Sequence, residues 1–94
     1  MEQHSTTAPL LVVQTYVVHG PDRTRLYYEI QLAPDPAPDA PRLVLITCSA
    51  ALYAQALDLE TRATRVHVEW HLVQTRRGAA LVSRRMLDAL TVAA

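Results

Sequence analysis

Two segments of the chain alternate apolar and polar side chains, and this alternation constrains the fold more than any other feature of the sequence. The segments are residues 26–32 (LYYEIQL) and residues 65–75 (RVHVEWHLVQT). A period of two is that of a β-strand that buries one of its faces. The predicted buried faces consist of Leu26, Tyr28, Ile30 and Leu32 in the first strand and Val66, Val68, Trp70 and Leu72 in the second.

Three further segments have the length and composition of strands. Residues 10–19 (LLVVQTYVVH) are rich in Val, Tyr and Thr. Residues 42–48 (RLVLITC) are mostly apolar, which is typical of a strand buried on both faces. Residues 79–86 or 79–87 follow the short link Arg76-Arg77-Gly78 and are predicted to return as the second strand of a hairpin. Residues 87–94 are then predicted to form a last helical turn or to fray.

One helix is predicted at about residues 49–60. Ser49 can act as its N-cap, and residues 50–59 are rich in Ala and Leu with an apolar stripe. Four of the six prolines lie in residues 33–41 (APDPAPDAP), which are predicted to form an extended loop because they can join neither a helix nor a sheet. The 94 residues suffice for one domain. We place a flexible N-terminal tail at 1–8, the domain at 9–90 and a flexible C-terminus at 91–94.

The predicted order is three strands, one helix and two strands, which is the plan of the OB-fold, a five-stranded Greek-key barrel. The chain from Leu43 to Leu90 resembles the second half of bacterial single-stranded DNA-binding proteins. The motifs that carry the resemblance are Ile46-Thr47-Cys48, the helix segment 52–57 (LYAQAL), the strand Val66-His67-Val68-Glu69-Trp70 and the hairpin tip Thr75-Arg76-Arg77-Gly78. The resemblance implies a mostly β, five-stranded OB-like barrel with one helix between strands three and four. The competing architecture is an open α+β sheet with the helix on one face.

The same resemblance implies a function, which is the binding of single-stranded DNA without sequence preference and without catalysis. The chain departs from the family pattern at Trp70, where the family prefers glycine. It also departs in the loop between strands two and three, which is proline-rich and carries Asp35 and Asp39. RNA stays open beside DNA, because no recognisable element reads a 2′-hydroxyl.

Charge is distributed unevenly, although the formal net charge is zero. Residues 1–60 carry seven acidic residues and three arginines, whereas residues 61–94 carry six arginines and two acidic residues. The chain has no lysine. This asymmetry predicts a basic face for an anionic partner in the C-terminal third. The alternative is that the two parts fold together and their charges intermix on one surface.

Binding of a single strand requires flat side chains for the bases and cations for the phosphates. Tyr27 is the best predicted platform, because it lies on the polar face of its strand. Tyr28 and Trp70 lie on apolar faces, where core packing is favoured, and the orientation of Tyr16 stays undecided. The first and last hairpin loops flank the binding face of an OB barrel. The predicted phosphate contacts are Arg23, Arg25, Arg76, Arg77, Arg84 and Arg85.

A competing hypothesis is an OB-like module for protein interaction and oligomerisation that binds no nucleic acid. The first strand (LLVVQTYVV) holds more apolar residues than one barrel interior can accept, and the excess predicts contact with another chain. The neutral net charge and the acidic proline-rich loop also fit this hypothesis. Under either hypothesis we expect a homo-oligomer, first of all a dimer.

The sequence offers little for catalysis. His67, Glu69 and His71 form an H-x-E-x-H pattern. On a strand the two histidines are ~13 Å apart, which is too far to share one metal ion. Cys48 is predicted to be a small apolar residue at a buried strand end. No glycine-rich phosphate loop is present, because the chain has two glycines. We therefore predict a protein that is not an enzyme and that takes no metal, cofactor or small-molecule substrate.

The expected location is the cytoplasm. No stretch approaches the ~18 uninterrupted apolar residues of a membrane-spanning helix, and the first residues (MEQHSTTAP) lack the pattern of a secretory signal. The single cysteine cannot form a disulfide within the chain. These features predict a protein without a membrane partner.

Overall fold

In the computed structural model, which describes residues 3–19 and 26–93, six strands form one sheet that is accompanied by one helix. The elements are β1 (Gln3–Ser5), β2 (Leu11–His19), β3 (Leu26–Ala33), β4 (Leu43–Thr47), α1 (Ala50–Arg62), β5 (Val66–Arg77) and β6 (Ala80–Val92). Their order in the sheet is β1-β5-β6-β4-β3-β2, with every neighbouring pair antiparallel except β4 and β6. The predicted mostly β class is confirmed, whereas the described residues form six strands in a sheet that is not closed.

The N-terminal segment runs from one edge of the sheet to the other. In β1, which lies within the predicted tail, Gln3 pairs with His71 of β5. Leu10 then forms an isolated bridge with Val66 at the start of β5. The next residue opens β2, which pairs along its length with β3. The sixth strand therefore consists of residues 3–5, which were predicted to belong to the N-terminal tail and which pair with β5.

The core lies between one face of the sheet, called the inner face here, and α1. The largest fully buried side chains are Ile30, Leu32, Leu45, Val66 and Val68. Ala56 and Leu59 of α1 pack into the same cluster. Leu26 is 41% exposed and Leu72 is 48% exposed, although both were predicted to be buried. They lie at the ends of their apolar faces, where the cluster no longer covers them.

Capping determines where α1 begins and ends. The Ser49 Oγ accepts a hydrogen bond from the Leu52 N–H at 3.2 Å, which confirms the predicted N-cap. The helix continues to Arg62, and Ala63 follows in the left-handed conformation with φ 51° and ψ 41°. The Ala63 N–H donates to the carbonyl of Glu60, and this bond satisfies one of the last carbonyls of the helix.

Glycine at position 63 is expected to stabilise the fold. An L-residue with a Cβ pays for the left-handed conformation, whereas glycine adopts it without that cost. Ala63→Gly should therefore raise the free energy of unfolding by about 0.5–1 kcal/mol in urea titrations. Ala54→Gly is the matched control, because Ala54 is exposed in the helix interior and the change should cost about 1 kcal/mol there. Equal losses in both variants would contradict the expectation.

A bulge near the end of β6 corrects the prediction for residues 87–94. Glu69 pairs with Ala89 and Trp70 pairs with Leu87, so Asp88 is the extra residue on β6. The bulge places Leu87 and Leu90, which are three residues apart, on the same buried face. This spacing resembles that of a helix, but β6 continues as a strand to Val92.

Part of the β5–β6 hairpin extends beyond its neighbours. Beside β5, the first residue of β1, Gln3, pairs with His71. Beside β6, the pairing with β4 occurs at Ile46 and Met86. Residues 72–85, called the arm here, therefore have no further strand partner among the described residues. The predicted hairpin is confirmed, and its two-residue turn contains Gly78 with φ 63°.

The segment 42–48 is less buried than predicted. In β4, Leu45 and Thr47 are buried, but Val44 is 36% exposed and Ile46 is half-buried on the opposite face. Cys48 follows the strand and is exposed, so the prediction of a buried cysteine is wrong. An apolar run indicated burial on both faces here, yet in the described part of the chain α1 covers the inner face and Val44 and Ile46 lie on the face away from it. Between β3 and β4, residues 34–42 form neither helix nor strand.

Candidate nucleic-acid interface

A row of paired residues defines the face of the sheet that points away from α1, called the outer face here. Residues that pair directly in neighbouring strands point to the same side of a sheet. Tyr16 of β2 pairs with Glu29 of β3, which pairs with Ile46 of β4. Ile46 in turn pairs with Met86 of β6, and Met86 pairs with His71 of β5. The outer face thus extends over five strands.

Tyr27 and Arg84 meet on the outer face. Their strands are not neighbours, because β4 lies between β3 and β6. The Arg84 guanidinium carbon lies 5.1 Å from the centroid of the Tyr27 ring, and Nη2 lies 3.4 Å from the phenolic oxygen. Both side chains are half-buried. A cation and a flat ring are therefore held together at one place on the sheet.

A shallow groove lies beside this pair and is lined by Glu29, Val44, Ile46, Ser83, Arg84 and Arg85. The Glu29 carboxylate accepts a hydrogen bond from the Gln31 side chain at 2.9 Å. Arg62 forms an ion pair with Asp58 on α1. No other arginine whose side chain the structure describes within residues 3–19 and 26–93 forms an ion pair with a carboxylate. The charge of Arg84 is thus not neutralised by a described carboxylate, and it remains available to an anion.

The other predicted arginines are distributed differently. Arg76 pairs with Leu81 and Arg85 with Leu72, which places both arginines on the face of the arm opposite to Arg84. The Arg85 guanidinium carbon lies 5.3 Å from the centroid of the Trp70 ring. Arg77 is the last residue of β5. Arg23 and Arg25 lie outside the described residues.

The structure also gives the positions of three other aromatic residues, Tyr16, Tyr28 and Trp70. Tyr16 lies on the outer face and is 40% exposed. Tyr28 points inward and stacks on Tyr53 of α1, with ring centroids 4.3 Å apart. Trp70 packs partly buried against the core. The sequence left the orientation of Tyr16 undecided, because it depends on the register of β2 against β3, which shifts between Val12 and Gln14.

The histidine pattern on β5 does not assemble a metal centre in the described part of the chain. His67 and His71 lie on one strand, and His71 Nδ1 is 2.8 Å from the Asp88 carboxylate. No group of three or more His, Cys, Asp or Glu side chains among residues 3–19 and 26–93 is placed to hold a metal ion. No helix in this part of the chain is long and apolar enough to cross a membrane.

Comparisons of the chain with known protein families, curated proteins and solved structures find no match.

Proposed function

We propose that this protein binds single-stranded DNA without sequence preference across its outer face and performs no chemistry on it. The contact between Tyr27 and Arg84 carries the proposal. It joins the two elements that sequence-independent binding of a single strand requires, a ring on which a base can stack and a cation for the phosphate beside it.

An OB-like arrangement of the sheet supports this proposal. If residues 3–19 are counted as one interrupted first strand, that strand pairs with β3 on one side and with β5 on the other. We propose on this basis the plan of a partly open five-stranded Greek-key barrel, which the order of the remaining strands in the sheet supports. OB domains bind oligonucleotides on the face of their second and third strands. The corresponding strands here are β3 and β4, which carry Tyr27 and Val44.

Electrostatics favour one path of the strand over another. Glu29 lies in the middle of the outer face and repels phosphates, so the sugar-phosphate backbone is expected to pass on the side of Arg84. Bases then turn toward Tyr27 and Tyr16. Each stacked base is worth ~1–3 kcal/mol, so two platforms give modest affinity per protomer.

A titration with oligothymidylate of about 16 nucleotides, the upper end of the site size of one OB domain, tests the proposal. We expect binding at low salt that weakens as salt rises, with a slope of about −0.7 in the double-logarithmic plot for each phosphate contact. A duplex of the same length is the control. It should bind less tightly, because its bases are not free to stack. No binding at low salt with micromolar protein would reject the proposed function.

The second candidate function is a protein-interaction or oligomerisation module. It is favoured by exposed apolar side chains on β2 and β4, namely Tyr16, Val17 and Val44. In this proposal a homo-oligomer, first of all a dimer, covers these side chains through the edge strand β2. Failure to bind oligothymidylate together with a dimer mass in sedimentation would favour this candidate.

A further inference from the structure

Three side chains from three neighbouring strands form a stack at the base of the arm. His4 of β1 pairs with Trp70 of β5, and their ring centroids are 4.3 Å apart with an interplanar angle of 15°. Arg85 of β6 places its guanidinium 5.3 Å from the centroid of the Trp70 ring. Because β1 and β6 flank β5 on opposite sides, His4 and Arg85 reach the indole from opposite sides.

The geometry of this stack is that of a base on an aromatic side chain. A flat nitrogen heterocycle lies nearly parallel to an indole, and a cation lies close to the same ring. Arg85 is exposed and forms no ion pair within the described residues, and exposed Arg76 lies further along the same face of the arm. The arrangement offers a base platform followed by two cations, but the chain itself occupies the platform.

We propose that Trp70 and Arg85 form a second nucleobase-binding site and that His4 is its resident occupant, which an incoming base displaces. This proposal rests on the proposed function, and it adds a site on the face of the arm opposite to Tyr27 and Arg84. The single strand then passes around the arm rather than over one face of it.

Displacement of His4 does not require β1 to leave the sheet. Two residues after His4 in the chain, the Thr6 N–H donates to the Val68 carbonyl, and the Val68 N–H donates to the Thr6 Oγ1, each at 3.1 Å. These bonds hold the segment while the imidazole rotates away. The exchange therefore costs one stacked aromatic pair and no backbone pairing.

His4→Ala tests the proposal with the chain's single tryptophan as the probe. Removing the occupant should tighten oligothymidylate binding about fivefold, since a stacked aromatic pair is worth about that factor. Trp70 emission should also be quenched more strongly at saturation than in the wild-type protein. Gln3→Ala is the matched control, because Gln3 lies on the same short strand with an exposed side chain and should leave both readouts unchanged.

Two outcomes separate this proposal from the proposed function. If oligothymidylate binds and Tyr27→Ala weakens it, but Trp70 emission stays constant in both wild type and His4→Ala, the second site is rejected and the outer face stands. If neither protein binds, the proposed function itself fails. Weaker binding by His4→Ala would also overturn the occupant role.

A second variant keeps the test decisive if His4→Ala loses stability in urea. Trp70→Phe retains an aromatic ring against the core but offers a smaller platform. Its binding should be several-fold weaker than that of the wild-type protein at an unchanged salt slope. Unchanged affinity would count against a base on Trp70.

Discussion

Arg84→Ala is expected to weaken binding of oligothymidylate about tenfold and to make the salt dependence less steep by about 0.7. The substitution removes a cation from the outer face and also the group that lies over the Tyr27 ring. Loss of one phosphate contact accounts for the change in slope. Loss of the ordered neighbour of Tyr27 adds to the loss of affinity. Fluorescence anisotropy at several salt concentrations measures both effects.

Three comparison variants separate charge from geometry. Arg62→Ala removes the same unit of charge from the exposed surface of α1 and should leave binding almost unchanged. Arg84→Lys keeps the charge but loses the planar guanidinium, so it should retain the salt slope and lose part of the affinity. Tyr27→Ala should lower the affinity at an unchanged slope. If Arg62→Ala is as damaging as Arg84→Ala, binding follows net charge and the outer face is not the site.

Leu45→Ala is expected to reduce the free energy of unfolding by about 3 kcal/mol. Leu45 is 0% exposed in a central strand and belongs to the core cluster into which α1 packs. Its truncation leaves a cavity between the sheet and the helix. A loss of this size is a large fraction of the ~5–15 kcal/mol that stabilises a small domain. Urea unfolding followed by far-ultraviolet circular dichroism measures it.

Val44→Ala is the matched control for that substitution. Val44 is adjacent to Leu45 in the chain but faces outward and is 36% exposed. Its truncation should cost less than about 1 kcal/mol. The urea m-value should be the same for both variants, because the folded and unfolded states expose similar surfaces. Comparable losses at the two positions would mean that the outer face is also covered, as in an oligomer.

Local periodicity predicted much of this fold. The alternation around Ile30 and Val68 gave the correct buried face of β3 and β5, because one face of each strand packs against the core. Ser49 was recognisable as an N-cap, because its side chain accepts from a backbone N–H three residues on. These features depend on neighbours in the sequence, which the sequence displays directly.

Features that depend on strand pairing could not be predicted in the same way. Residues 87–94 were predicted to form a helical turn or to fray, because the bulge at Asp88 becomes visible only in the pairing of β6 with β5. The run around Val44 indicated burial on both faces, whereas α1 covers one.

In the candidate site, too, some features follow from the local sequence and others depend on strand pairing. Tyr27 was assigned to the polar face from alternation alone. Its contact partner Arg84 lies 57 residues away in the chain. The two residues are on β3 and β6, and β4 lies between these strands in the sheet. The face occupied by Tyr16 depends on the register of β2 against β3. The predicted arginines formed one set in the sequence, but the pairing of the hairpin places Arg84 and Arg85 on opposite sides of the arm.

The path of the N-terminal segment has a consequence for how the chain folds. The hairpin of β5 and β6 pairs residues that are close in the chain, and its short turn lets it form early. The contact between Thr6 and Val68 joins residues 62 positions apart, so its loop-closure entropy is among the largest in the fold. During synthesis, residues 3–10 leave the ribosome long before β5 exists to receive them. We therefore expect this segment to dock last, onto a sheet whose other strands are already paired.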